Sequence, residues 1–216
     1  CCFKTYLQRL MKNIYTLLSI LIISLTVYLS FDDLMPNSVK SIESTGFSFD
    51  NALNHLKVIS KEPHYTGSKY HQDVQNYILN ELKKMGLETE IQNQVVLSSR
   101  RVGTNAANII GTIKGSRKGK SLVLLTHYDS SAHSSFGASD AGSGVVTILE
   151  GFRAFLLNNN TPVNDIHLVF TDAEEMGLLG AEAFVKNHKL IDNVGLVLNF
   201  EARGSGGPSY MLMETN

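Results

Sequence analysis

Residues 122–144 read LVLLTHYDSSAHSSFGASDAGSG, and residues 168–177 read LVFTDAEEMG. Each stretch opens as a short apolar run of the kind that forms a buried strand, then hands over to ionisable groups. The first supplies His127, Asp129 and Asp140, and the second supplies Glu174 and Glu175. Open α/β sheets build their sites beyond the carboxyl ends of strands. Imidazole and carboxylate together suit zinc and related divalent ions. These five side chains therefore read as candidate parts of a metal centre.

Working outward, Phe49, Ala52, Leu53, Leu56 and Ile59 recur at helical spacing, and so do Val74, Tyr77, Ile78, Leu82 and Met85. The turn KEPHYTGSK (61–69) separates the two, and Gly86 is placed to stop the second helix. Strands are expected over Glu88 to Leu97, Asn108 to Lys114, Ser121 to Thr126, Ile166 to Thr171 and Val194 to Phe200. Helices are expected over Val145 to Leu157 and Leu178 to His188, with one more possible strand at Pro208 to Met213. Helices alternating with short Val, Ile and Leu runs call for an α/β domain whose sheet is covered on both faces.

At the front, Ile14 to Phe31 is an uncharged stretch, IYTLLSILIISLTVYLSF, preceded by Lys4, Arg9 and Lys12 and followed by Asp32 and Asp33. Its length reaches the lower limit for crossing a bilayer, and the basic flank places the N-terminus in the cytoplasm. The expected organisation is a cytoplasmic segment 1–13, a transmembrane anchor 14–31, a polar linker 32–48 and a domain 49–216 on the non-cytoplasmic side. A cleaved signal peptide has the same pattern, but VYLSFDDLMP (27–36) offers no clear small-residue cleavage site. A buried soluble helix is the third reading, set against apolar residues that run all the way round. Met11 opens a plausible translation start, so residues 1–10 can be upstream read-through. Cys1 and Cys2 are the only cysteines, which leaves the domain without a disulfide framework. The formal net charge of -1 gives no electrostatic reason to expect nucleic acid.

Hydrolysis by two metals requires a bridging carboxylate, terminal ligands on each ion and a base for the attacking water. His127 ends a strand, and Asp129 two residues on can bond the far ring nitrogen and fix its tautomer. Asp140 lies in a glycine-containing turn at the start of a helix. Glu174 and Glu175 are adjacent side chains that diverge, so one can bind metal while the other addresses water.

As an ordered set, THYD (126–129), ASDAGSG (138–144), DAEEMGLLGA (172–181) and LNFEARG (198–204) resemble the co-catalytic zinc exopeptidases of peptidase family 28. With the anchor and EPHYTGS (62–68), they are most similar to its membrane-bound endoplasmic reticulum and vacuolar branch. The resemblance runs from about Phe49 onward. It implies a three-layer fold with a mixed, mostly parallel sheet between helices, two zinc ions and a peptide substrate. By position, it implies that His127 and Glu201 bind one zinc, Asp140 bridges both, Glu175 binds the second and Glu174 is the general base. Asp129 would support His127, and the peptide between Asp140 and Ala141 would be cis. The family's second zinc takes a further His downstream, and no His follows His188 here. The expectation is a piece of a longer enzyme, with weak binding of the second metal and no assured activity of its own.

Each residue has a plainer reading. Asp140 alone can be a helix N-cap, and Glu174 with Glu175 a solvated first helical turn. His133 sits near the cleft as a loop residue or a further ligand. His64 reads as structural, and His55, His71, His167 and His188 as residues of helix faces or strand ends. Arg203 with Gly204, Gly206 and Gly207 reads as a turn or a substrate contact. Rival functions are a carboxypeptidase or deacylase, a glutaminyl cyclase on the same fold, or a catalytically silent membrane scaffold. The spacing of thirteen residues from His127 to Asp140 argues against the deacylase type.

Overall fold

The structure, a computed structural model, describes residues 2–34, 46–97 and 101–202. Pro208 to Met213, Arg203 and the three glycines beside it lie outside the described residues, as does most of the expected linker.

Helix α1, Cys2–Leu34, belongs to a separate unit from the domain within residues 40–204. It contains one stretch, Gln8–Phe31, long and apolar enough to cross a membrane. The helix runs beyond the apolar segment at both ends, because helical hydrogen bonding does not stop where hydropathy does.

In the domain, α2 (Phe49–Ile59) starts at Ser48, whose hydroxyl accepts the Asn51 N–H. Helix α3 (Lys69–Lys84) starts at Ser68, whose hydroxyl accepts the His71 N–H. Each cap satisfies a donor that the first helical turn leaves open. Gly86, at φ +80, takes the left-handed conformation that ends α3.

The strands are β1 (Glu88–Leu97), β2 (Gly103–Ile113), β3 (Ser121–His127), β4 (Ile166–Thr171) and β5 (Val194–Asn199). Helix α4 spans Gly144–Leu157 and α5 spans Leu179–Asn187. The sheet is ordered β1-β2-β4-β3-β5. β1 pairs antiparallel with β2, and β2 with β4, while β3 runs parallel to both β4 and β5. The parallel half of this mixed sheet therefore carries the motifs. β2 begins five residues before the expected Asn108, because Gly103 to Ala107 complete the ladder with β1 without a branched apolar signal of their own.

Alternation along the strands builds three layers. Ile109, Leu168 and Phe170 pack with Ile59, Val74, Ile78, Leu82, Ile148 and Leu149 of α2, α3 and α4. Ile110, Val123 and Val169 face the other way and pack with Phe184 of α5. Burying each such side chain contributes about 1.5–3 kcal/mol. With α2, α3 and α4 on one face and α5 on the other, the strand ends remain open to build a site.

Candidate metal centre

Register brings the motifs together. His127, the last residue of β3, pairs with Thr171, the last of β4. Glu174 and Glu175 follow three and four residues further on. On the other side Leu125 pairs with Asn199, and the Phe200 N–H continues the ladder to Leu125 O at 2.8 Å. Glu201 therefore emerges alongside His127. Asp140 arrives from a kinked turn, Ala138–Ser143, immediately before α4, and the peptide between Asp140 and Ala141 is cis.

The ring of His127 is buried, 2% exposed. Its Nδ1 lies 3.0 Å from the backbone oxygen of Asp129 and 3.4 Å from that residue's Oδ1. Its Nε2 points the other way, 2.9 Å from Asp140 Oδ1, 3.5 Å from Glu201 Oε1 and 3.9 Å from Glu174 Oε2. One donor atom each from His127, Asp140 and Glu201 lies within 4.8 Å of the others, a spacing at which one cation can touch all three. Glu175 is outside that group, and its expected role on a second ion has no converging ligand set among the described residues. His133 is exposed in the loop beside Ser131 and does not join the ligand atoms.

Three carboxylates around one ring nitrogen favour a positive charge at that point. Burial works against the charged ring, but hydrogen bonds to Asp129 and Glu201, with their negative charge, outweigh it and push the His127 pKa up to about 11. A divalent ion bound there would take the place of that proton, so the donor set fits a metal. Burial raises the pKa of Glu174, with Glu201, Asp129 and Glu175 adding to the effect against His127. Burial also raises Glu175, with Asp140 as the next cause. Glu201 is lowered: burial opposes this, but the His127 hydrogen bond and the Ala202 N–H prevail.

Asp129 acts more widely than an orienter of one ring. Its Oδ1 accepts the Glu174 N–H at 3.0 Å and its Oδ2 the Glu175 N–H at 3.2 Å. Behind it lies a set of residues with no assigned role in the motif reading. Thr66 Oγ1 is 3.0 Å from Asp172 Oδ1 and 3.4 Å from Asp129 Oδ2. His71 Nε2 meets Asp172 Oδ1 at 2.8 Å, and Asn108 Oδ1 accepts the Asp172 N–H at 3.0 Å. His64 O accepts the Ser130 N–H, and Ser130 Oγ accepts the His64 N–H, so EPHYTGS is strapped to the end of β3. The available signal was a carboxylate inside DAEE, three residues before Glu175, in a segment with no need of surface charge. The other histidines are accounted for locally: His55 by Tyr77, His167 by Thr112, and His188 by Leu190 and Phe184.

Residues 108–216 match the family described as Peptidase family M28. A vacuolar membrane protease of Schizosaccharomyces pombe is 31% identical over 196 residues, covering 84% of this chain and 22% of that protein. One of Candida albicans is 32% identical over 214 residues, covering 95% and 25%. The chain thus spans about a quarter of the length of these relatives. Among solved structures, a glutaminyl cyclase of Tannerella forsythia superposes with a TM-score of 0.63 at 25% identity, over 74% of this chain and 63% of that one. A Zn-dependent exopeptidase of Parabacteroides distasonis gives 0.57 at 25% identity, over 67% and 57%. A leucine aminopeptidase precursor of Bacteroides thetaiotaomicron gives 0.59 at 25% identity, over 71% and 61%.

Proposed function

The chain belongs to peptidase family M28, and from that membership we propose that it forms part of a membrane-anchored, zinc-dependent exopeptidase acting as an aminopeptidase. The observation that carries this reading is the meeting of one donor atom each from His127, Asp140 and Glu201 within 4.8 Å, with Glu174 Oε2 3.9 Å from His127 Nε2. The likeness to a leucine aminopeptidase precursor supports the amino-terminal preference.

His127 and Glu201 would hold the first zinc, Asp140 would be shared between two ions, and Glu175 would serve the second. Such ions, when bound, polarise a substrate carbonyl and acidify the attacking water. The remaining chemistry is proton traffic. Glu174 Oε2, its basicity raised by burial, takes the proton of the attacking water and returns it to the leaving amine nitrogen. Asp129 keeps the ring of His127 and the backbone of Glu174 in one frame.

Residues 14–31 serve as the anchor and 1–13 as the cytoplasmic segment, 32–48 as the linker, and the domain from residue 49 lies on the other side of the membrane. This topology rests on the basic flank of the apolar stretch and on the vacuolar membrane proteases among its relatives.

The test is Glu174→Gln in the full-length protein. Turnover of aminoacyl substrates should fall by about 10²–10⁴-fold, with bound zinc unchanged; full turnover in the variant would reject Glu174 as the base. The likeness to a glutaminyl cyclase favours one second reading, ring closure of N-terminal glutamine. Peptides beginning with Gln separate the two: cyclisation without chain shortening supports the cyclase.

A further inference from the structure

We propose that His71 is a positioning residue for the metal centre, acting through Asp172 on Thr66 and on the turn that presents Glu174 and Glu175. The proposal rests on the metal reading of His127, Asp140 and Glu201. His71 touches none of those groups. It lies on α3, in a part of the sequence to which no function falls by motif.

Asp172 and Asp129 are both 1% exposed, and two carboxylates at such depth need their oxygens satisfied. Asp172 Oδ1 takes the hydroxyl of Thr66, the N–H of Ala173 at 2.7 Å and Nε2 of His71. A carboxylate only accepts, so Nε2 of His71 carries a hydrogen here. Oδ2 takes the N–H of Ala107 at 3.0 Å. The His71 ring is held flat against Tyr128, with centroids 4.9 Å apart and planes 14° apart. The Tyr128 hydroxyl in turn donates to Ala107 O and accepts from Gln75 Nε2. The imidazole therefore has a fixed plane and a fixed partner.

The consequence for the site runs through Ala173. Its φ of +53 is a left-handed conformation that a Cβ-bearing residue disfavours. What keeps it there is the Asp172 carboxylate on its N–H, together with the Leu179 N–H on its carbonyl at 3.1 Å. The next two residues are Glu174 and Glu175, whose N–H groups sit on Asp129. Thr66 closes the circuit, since its hydroxyl lies within reach of both buried carboxylates. Two imidazole-carboxylate pairs, His127 with Asp129 and His71 with Asp172, thus share one threonine and one turn. The outer pair sets where the inner pair and the two glutamates stand.

The experiment compares His71→Phe with His71→Gln in the full-length protein. Phenylalanine keeps the stacked ring and loses the nitrogen, whereas glutamine places a side-chain N–H near the position of Nε2. Each is stripped with a chelator and titrated with zinc, and kcat and KM are measured on the reloaded enzyme. His71→Phe should bind zinc about 10–100-fold more weakly, the range for lost support of a metal ligand, and lose kcat with little change in KM. His71→Gln should stay within a few-fold of the parent. Unchanged zinc affinity in His71→Phe with only a lower melting temperature would overturn the proposal, and so would equal losses in both variants. If His71→Phe does not fold, Thr66→Val takes its place, keeping the branched shape without the hydroxyl. Weaker zinc binding there supports the circuit, and parental affinity refutes it. His127→Ala is the control: zinc retained in that variant would overturn the metal reading and this proposal together.

Discussion

The Asp129 carboxylate accepts the backbone N–H of Glu174 at 3.0 Å, while the neighbouring oxygen accepts that of Glu175 at 3.2 Å. A residue two positions after His127 therefore fixes a turn forty-five residues downstream. Both oxygens are committed as acceptors of backbone hydrogens. Asn at this position has one oxygen and one NH2, so one of the two N–H groups would face a donor. Asp129→Asn should destabilise the domain by about 1–3 kcal/mol, the cost of a buried group left unsatisfied. It should weaken zinc binding as well. Thermal melts with and without zinc check this, and a smaller zinc-induced shift in the variant is the expected result.

The same turn is sealed from beneath by a glycine. A Cβ built on Gly180 would lie 2.1 Å from Asp172 O and 2.5 Å from Asn108 Oδ1, with Asp172 N at 2.7 Å. Backbone and a buried amide cannot move aside cheaply. Gly180→Ala should therefore cost about 1–3 kcal/mol or more through overpacking, and it should displace the Glu174 turn. Gly151 gives the contrast, since nothing lies within 4 Å of its Cβ position inside α4. Gly151→Ala should stabilise by about 0.5–1 kcal/mol through helix propensity. Denaturant melts of the two variants should move in opposite directions.

The strands, α2 to α5 and the chain positions of His127, Asp140 and Glu174 were legible because each rests on a local signal, whereas Glu201 came only with the family resemblance. Period-two and helical spacing mark elements, and apolar runs ending in ionisable residues mark strand ends. The beginning of β2 was not legible, since Gly103 to Ala107 are strand only by virtue of their pairing with Val95 to Leu97 and their neighbours. Nor was the role of His71. Its partner Asp172 is 101 residues away, and a histidine on an amphipathic helix looks the same in sequence whether it meets solvent or a buried carboxylate. Asp129 was foreseen as the support of His127, but its bonds to Glu174 and Glu175 depend on the register of β3 against β4. Local pattern does not contain that register.

Glu150 latches the entry of α2 to α4. It is fully buried at 0% exposure, and its Oε1 accepts the Ser48 N–H at 2.6 Å. Arg153 grips both oxygens at 2.5 Å and reaches Gly46 O at 3.0 Å. Burial alone would raise the Glu150 pKa, but the Arg153 hydrogen bonds and the Ser48 N–H prevail and lower it. A carboxylate depressed on folding contributes stability above its unfolded pKa, and that stability is lost as pH falls through the folded value. Glu150→Gln should thus be less stable than the parent by about 1–3 kcal/mol near neutrality. The gap should narrow as the pH drops below the ordinary carboxylate value of 4.5. Paired urea titrations across that range measure it, and a gap independent of pH would assign the loss to packing.

Proton and metal compete at His127. Hydrogen bonds to Asp129 and Glu201 outweigh burial and bring its pKa from the ordinary 6.5 to about 11. In the metal-free chain the ring is therefore charged at neutral pH. Its contribution to stability is complete below about 6.5 and fades as the pH rises through about 11. Zinc needs the neutral ring, so binding must expel this proton. The apparent affinity should rise about tenfold per pH unit through neutrality, with roughly one proton released per zinc at this residue. Calorimetry in buffers of different ionisation enthalpy counts that proton directly. The thermal shift on adding zinc should also grow from pH 6 towards pH 9, because above about 6.5 the unfolded chain gives up this proton and the stability that the imidazolium lends the metal-free form fades, while the loaded form has no such proton to lose. A zinc affinity flat across that interval would mean that the ring nitrogen beside Asp140 and Glu201 is not where the ion binds.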